Sequence, residues 1–161
     1  DALREAAETA VHQCMALEAG ESCTVVTDDK RRHIGEALYE VACEVTDDAV
    51  LLRYPPGEQH GTEPPAPVAA AMADADVALA PTTKSLSHTR ARKRATDAGA
   101  RIATLPGITE EVMIDGGDKY HAPGVGETLC GRSGYRVVNR RAVESHYEPC
   151  LNCFYDADSG D

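Results

Sequence analysis

Tryptophan is absent and phenylalanine occurs once, so six tyrosines supply nearly all of the aromatic content. A core of packed rings is thereby excluded, and Ala, Val, Leu and Ile must fill the interior. Lysine is scarce as well. Only four of the sixteen basic side chains are Lys, set against 27 acidic residues and a net charge of −11. So acidic a chain excludes nonspecific attraction to nucleic acid or to anionic membrane over its whole surface. Few Lys, many carboxylates and abundant Ala predict a cytoplasmic protein of a salt-loving, haloarchaeal type. In such a setting salt shortens the reach of self-repulsion to roughly 3 Å at 1 M. No apolar run approaches the ~20 residues of a membrane span. The first residues lack the basic region, apolar stretch and cleavage site of a signal peptide. The chain opens on Asp1 without Met, which leaves room for an upstream piece. Several signatures are also missing: a G-x-G-x-x-G after the first strand, a Walker motif, an H-E-x-x-H helix, a Ser-His-Asp order and a paired-carboxylate motif. A dinucleotide site and those hydrolase centres therefore have no support.

What is present is an alternation. At 161 residues the chain suits one domain with a small appendage. Leu3, Ala6, Ala10, Cys14 and Leu17 recur every three or four residues, predicting a helix over 2–19 that Gly20 stops. Cys14 lies on its apolar stripe and reads as core. A strand over 22–27 follows, and Asp28 or Asp29 can cap a helix over 30–44. Lys30, Arg31, Arg32 and His33 crowd its first turn, the unfavourable end for cations. They form a solvated turn or help to hold an anion. A strand over 49–52 leads into a Pro- and Gly-rich loop over 54–65, in which His60 is an exposed residue or a metal or substrate contact. A proline-started helix over 67–74, a strand over 77–80, a helix over 88–98 closed by Gly99 and a strand over 100–104 complete the series. Four strands alternating with helices predict an α/β fold: an open, mostly parallel sheet with crossover helices.

The densest chemistry lies in residues 80–109. Ser87 is the expected cap of the helix over 88–98. Arg90, Arg92, Lys93 and Arg94 place four cations within five residues of an acidic chain. A solvated basic face is one reading. The other is an anion site in which Lys84, Ser85, Ser87, His88 and Arg92, with free amides at the helix start, receive a carboxylate or phosphate.

Several segments together resemble a known family. They are Thr27-Asp28-Asp29-Lys30, Ile34-Gly35-Glu36-Ala37-Leu38-Tyr39, His60-Gly61-Thr62-Glu63-Pro64-Pro65 and Ala80-Pro81-Thr82-Thr83-Lys84-Ser85-Leu86-Ser87-His88-Thr89-Arg90-Ala91-Arg92. Ala98-Gly99-Ala100-Arg101-Ile102-Ala103-Thr104-Leu105-Pro106-Gly107-Ile108-Thr109 continues the series. In order and spacing they look like the N-terminal domain of the leucyl aminopeptidase (aminopeptidase T type) metallopeptidases, over about residues 1–114. The resemblance implies metal-dependent removal of N-terminal residues from peptides, a peptide substrate, a catalytic divalent metal and a homodimer. It also implies a first domain that frames the substrate cleft near Lys84, Ser85 and His88. In that family carboxylates, histidines and a tyrosine of a second domain bind the metal. The resemblance ends near Ile114 and assigns no such ligand here. The expectation is a shortened member that lacks the catalytic metal domain.

Asp115-Gly116-Gly117-Asp118 reads as a flexible link between a domain over 1–115 and a module over 118–156. In the module, His121, Cys130, Cys150 and Cys153 have the spacing H-x8-C-x19-C-x2-C. A Cys3His set is one of the closed tetrahedral zinc sites, predicting structural Zn2+ without an open position for water. His146, four residues before Cys150, is the alternative nitrogen ligand. Free thiols and a redox Cys-x2-Cys pair remain further alternatives. Thr128-Leu129-Cys130-Gly131-Arg132, with an upstream His and the later Cys-x2-Cys, resembles small zinc-binding modules of haloarchaeal and actinobacterial proteins. A noncatalytic α/β binding domain whose zinc knuckle contacts a partner is the alternative to the peptidase reading.

Overall fold

The computed structural model describes residues 1–119 and 136–137, with side chains through residue 114. Four parallel strands carry the fold: β1 (Cys23–Asp28), β2 (Ala49–Tyr54), β3 (Val77–Ala80) and β4 (Arg101–Thr104). A two-residue strand, β5 (Arg136–Val137), pairs antiparallel with β4. The strand order is β2-β1-β3-β4-β5. The fold is therefore α/β, as the alternation predicts. After β2 the chain crosses back past β1, so the order reverses between β1 and β3. The crevice at the carboxyl ends of those two strands is where open α/β sheets bind ligands.

β1 and β3 are buried along their full length. Their side chains alternate between the faces. Cys23, Val25, Val77, Leu79 and Ala103 point to one face, where Val11, Met15, Ile34, Leu38 and Val41 cover them. That cover comes from α1 (Ala2–Glu8), a π-helical turn (Thr9–Cys14) and α2 (Arg32–Val45). α5 (Glu110–Lys119) adds Met113. Val26, Ala78, Ala80 and Ile102 point to the other face, against Val68, Met72 and Ala95 of α3 (Ala66–Asp74) and α4 (Arg90–Asp97). Each fully buried large aliphatic side chain contributes roughly 1.5–3 kcal/mol. In α2 a Cβ on Gly35 would sit 2.7 Å from Cβ and Cγ2 of Thr27, so the helix can approach β1 only without a side chain there.

Some expectations are corrected. The helix expected over 2–19 is α1 continued by the π-helical turn, and it ends before Gly20, near Ala16 (φ 48°). Arg101 explains the early stop. Its guanidinium donates to the carbonyls of Met15 (3.1 Å) and Ala16 (3.3 Å) and takes them out of the helix. α2 starts at Arg32, two residues late, because the amides of Lys30 and Arg31 turn onto the side chain of Asp28. The flexible link expected over Asp115–Asp118 falls within α5. No described helix is long and apolar enough to cross a membrane.

A candidate site at the strand-end rim

β1 ends on Asp28, which is 1% exposed. A buried carboxylate needs several donors to offset its lost hydration. Asp28 has them. Oδ1 accepts from the amides of Lys30 (3.0 Å) and Arg31 (3.2 Å) and from the hydroxyl of Thr83 (3.0 Å), while Oδ2 accepts from the Thr83 amide. One side chain thus clamps the loop after β1 to the loop after β3. The neighbouring Thr27 hydroxyl donates to the Pro81 carbonyl at 3.0 Å. Burial, together with the charge of Asp28, pushes the Tyr54 phenol at the end of β2 up to about 12, so it stays a protonated donor at neutral pH.

The Pro- and Gly-rich loop after β2 closes over the same place. His60 Nδ1 accepts from the Ser85 amide at 2.9 Å, and the Gly61 amide donates to the Ser85 carbonyl at 2.9 Å. With Nδ1 accepting, a neutral His60 carries its proton on Nε2. Glu63 reaches the start of α4. Its carboxylate accepts from the amides of Arg90 (2.9 Å) and Ala91 (3.0 Å). Thr89 caps the same helix by accepting from the Arg92 amide at 3.1 Å.

These contacts place the expected site residues. Lys84 and Ser85 lie half-buried on the rim, and His88 is exposed beside them. Ser87 is not the helix cap. Its hydroxyl is buried against that of Thr104 at 2.7 Å, and the cap falls to Thr89. Arg92 is only 7% exposed and donates through Nε to the Ser87 carbonyl at 2.9 Å, so it holds the loop in shape. The helix-start amides expected to be free are taken by Glu63 and Thr89. In the first-turn cluster, Lys30 and His33 are exposed and Arg32 faces Glu36 at 3.6 Å. Arg31 Nε is buried without a hydrogen-bond partner among the described residues.

Sequence reasoning offered Asp28 or Asp29 as a helix cap and missed the contact of Glu63 with α4. Both act across the fold, Asp28 on Thr83 and Glu63 on residues 27 and 28 positions later. Among the described residues no three of His, Cys, Asp or Glu are grouped so as to hold a metal ion. They therefore do not fit the catalytic divalent metal that the resemblance implies, and Asp28 and Glu63 are committed to the donors above. His121, Cys130, His146, Cys150 and Cys153 lie outside the described residues. No family model, curated protein or solved structure matches this chain.

Proposed function

We propose that the chain is a shortened member of the aminopeptidase family whose residues 1–114 frame a peptide-binding cleft at the strand-end rim. One observation carries this reading. Three segments of the resemblance are far apart in sequence, yet residues 27–30 and residues 60–65 are each hydrogen-bonded to residues 80–92. The rim is rich in donors. Lys84 and the Nε2–H of a neutral His60 suit the carboxylate or carbonyl oxygens of a peptide. Its role is to bind and orient. No hydrolytic step is assigned to these residues.

The alternative, a noncatalytic binding domain joined to a structural zinc knuckle, is favoured by the bonds between Asp28 and Thr83. They close the β1–β3 crevice with the protein's own groups. Elemental analysis and a peptide-cleavage assay on the full chain in molar salt separate the readings. Peptide binding without cleavage, with one zinc lost in Cys150→Ala, is the result expected of a shortened family member. Cleavage with a second metal that survives Cys150→Ala overturns the shortened reading, because the chain then carries its own metal centre. Zinc without any peptide binding leaves the partner-binding module.

A further inference from the structure

The helical face formed by α3 and α4 carries a groove that the rim contacts do not fill. Its volume is about 400 Å3. Ala66, Ala69, Ala70 and Ala73 of α3 form its floor, and Arg90 and Arg94 of α4 line it as well. Most other described surface cations face a carboxylate of the chain. Arg4 faces Glu8 and Glu44, Arg32 faces Glu36, Arg53 faces Asp29, Lys93 faces Asp97 and Arg101 faces Glu21. Arg90 and Arg94 are exposed, and no described ion pair or side-chain hydrogen bond engages their guanidinium groups. Glu63, which also lines the groove, has its carboxylate turned onto backbone amides. The result is an apolar trough lined by two arginines that have no described ion-pair partner, on a chain of net charge −11.

The spacing of those charges is specific. Residues four apart on a helix stand on one face with roughly 5–6 Å between their Cβ atoms. A second helix with carboxylates four apart presents the matching spacing. An alanine floor leaves depth for the apolar side chains of such a helix and loses almost no side-chain entropy when covered. We propose that the α3–α4 groove docks an acidic helical segment of a partner protein. Two carboxylates one turn apart meet Arg90 and Arg94, and apolar side chains rest on the alanines. A second copy of this chain is a poorer occupant. Its own row of carboxylates four apart, Glu36, Glu40 and Glu44, already has Arg32 on Glu36 and Arg4 on Glu44. The proposal does not rest on the aminopeptidase reading.

The test uses the full chain at the lowest salt that preserves its far-ultraviolet spectrum. The probe is a fluorescent peptide of about 16 residues, long enough to hold a helix. It has Leu on one face and two Glu four apart beside them. Anisotropy is expected to show saturable binding. Replacing both Glu by Gln, or making the chain R90E/R94E, is expected to weaken it by roughly tenfold, about what two exposed ion pairs contribute. A probe with Lys at both positions is expected to recover binding to R90E/R94E. Ala70→Trp, which fills the exposed floor, is expected to abolish binding without moving the melting temperature. Equal binding of the Gln probe, or no effect of R90E/R94E on a chain that still melts normally, overturns the proposal. So does displacement of the probe by duplex DNA or anionic vesicles, which makes the groove a general anion surface. Self-association that Ala70→Trp abolishes overturns it in favour of a second copy.

Discussion

The two faces of the sheet are built differently. On the face covered by α1 and α2, large aliphatic side chains pack densely, with Val11, Met15, Leu38 and Val41 fully buried. Two arginines on that side hold the fold together. Arg4 bridges Glu8 and Glu44, and Arg101 holds Glu21 through two bonds of 2.7 and 2.6 Å. On the face covered by α3 and α4, Val68, Met72, Leu86 and Ile102 share the core with four alanines, and Arg90 and Arg94 have no described ion-pair partner. The strand-end rim joins the loops that enter α3 and α4 to the loop that enters α2. Arg4 and Arg101 serve the fold on the first face, whereas Arg90 and Arg94 on the second stay exposed.

Variants sharpen that contrast. The largest effect is expected at the rim. Asp28→Ala leaves the donors of Lys30, Arg31 and Thr83 unmatched, at a cost of about 3 kcal/mol. Chemical denaturation in molar salt measures it, and a cost below that of an ordinary surface substitution would mean that the clamp does not hold the two loops. Next comes Gly35→Ala on the densely packed face. The added Cβ meets Thr27 at 2.7 Å, and the overpacking costs about 2 kcal/mol, read as a lower melting temperature.

A smaller effect is expected from Glu21→Gln, and it depends on pH. The Arg101 guanidinium holds the Glu21 carboxyl below its usual range. A lowered value stabilises the fold above the unfolded pKa, and that stability is lost as pH falls through the folded one. The melting-temperature gap between wild type and Glu21→Gln is therefore expected to be constant above about pH 5 and to close on acidification below about pH 4. A gap that widens in acid would contradict the pairing. The smallest effect separates the two arginine sets. Arg94→Gln is expected to change stability by less than about 0.5 kcal/mol, whereas Arg101→Gln lowers it by more. Equal losses would mean that Arg94 is structural after all.

Local pattern made the order of elements legible. Ile34, Leu38 and Val41 mark a helix face, and the run Cys23-Thr24-Val25-Val26 marks a buried strand. Gly99 stops α4 in a left-handed conformation (φ 105°), the role its position suggests. What escaped the sequence is decided by distant partners. Ser87 and Thr89 are equally good caps by local rules, and Thr104, across the sheet, removes Ser87 from the choice. The first helix ends where Arg101 captures its carbonyls, from more than eighty residues away. At the rim, Lys84, Ser85 and His60 were legible as polar loop residues, whereas His88 read as the start of a helix that in fact begins at Arg90. The Glu63 contact was not legible, because nothing local tells a carboxylate that precedes two prolines to cap a helix 27 residues on.

The central claim is that residues 60–63 and 83–92 form one ligand-binding rim. An isotope-labelled titration of the full chain in molar salt with a short unblocked peptide tests it most directly. The amide signals of His60, Gly61, Lys84, Ser85 and His88 are expected to shift together along one saturation curve. A titration to millimolar peptide that leaves those five signals in place, while the chain stays folded, would contradict it.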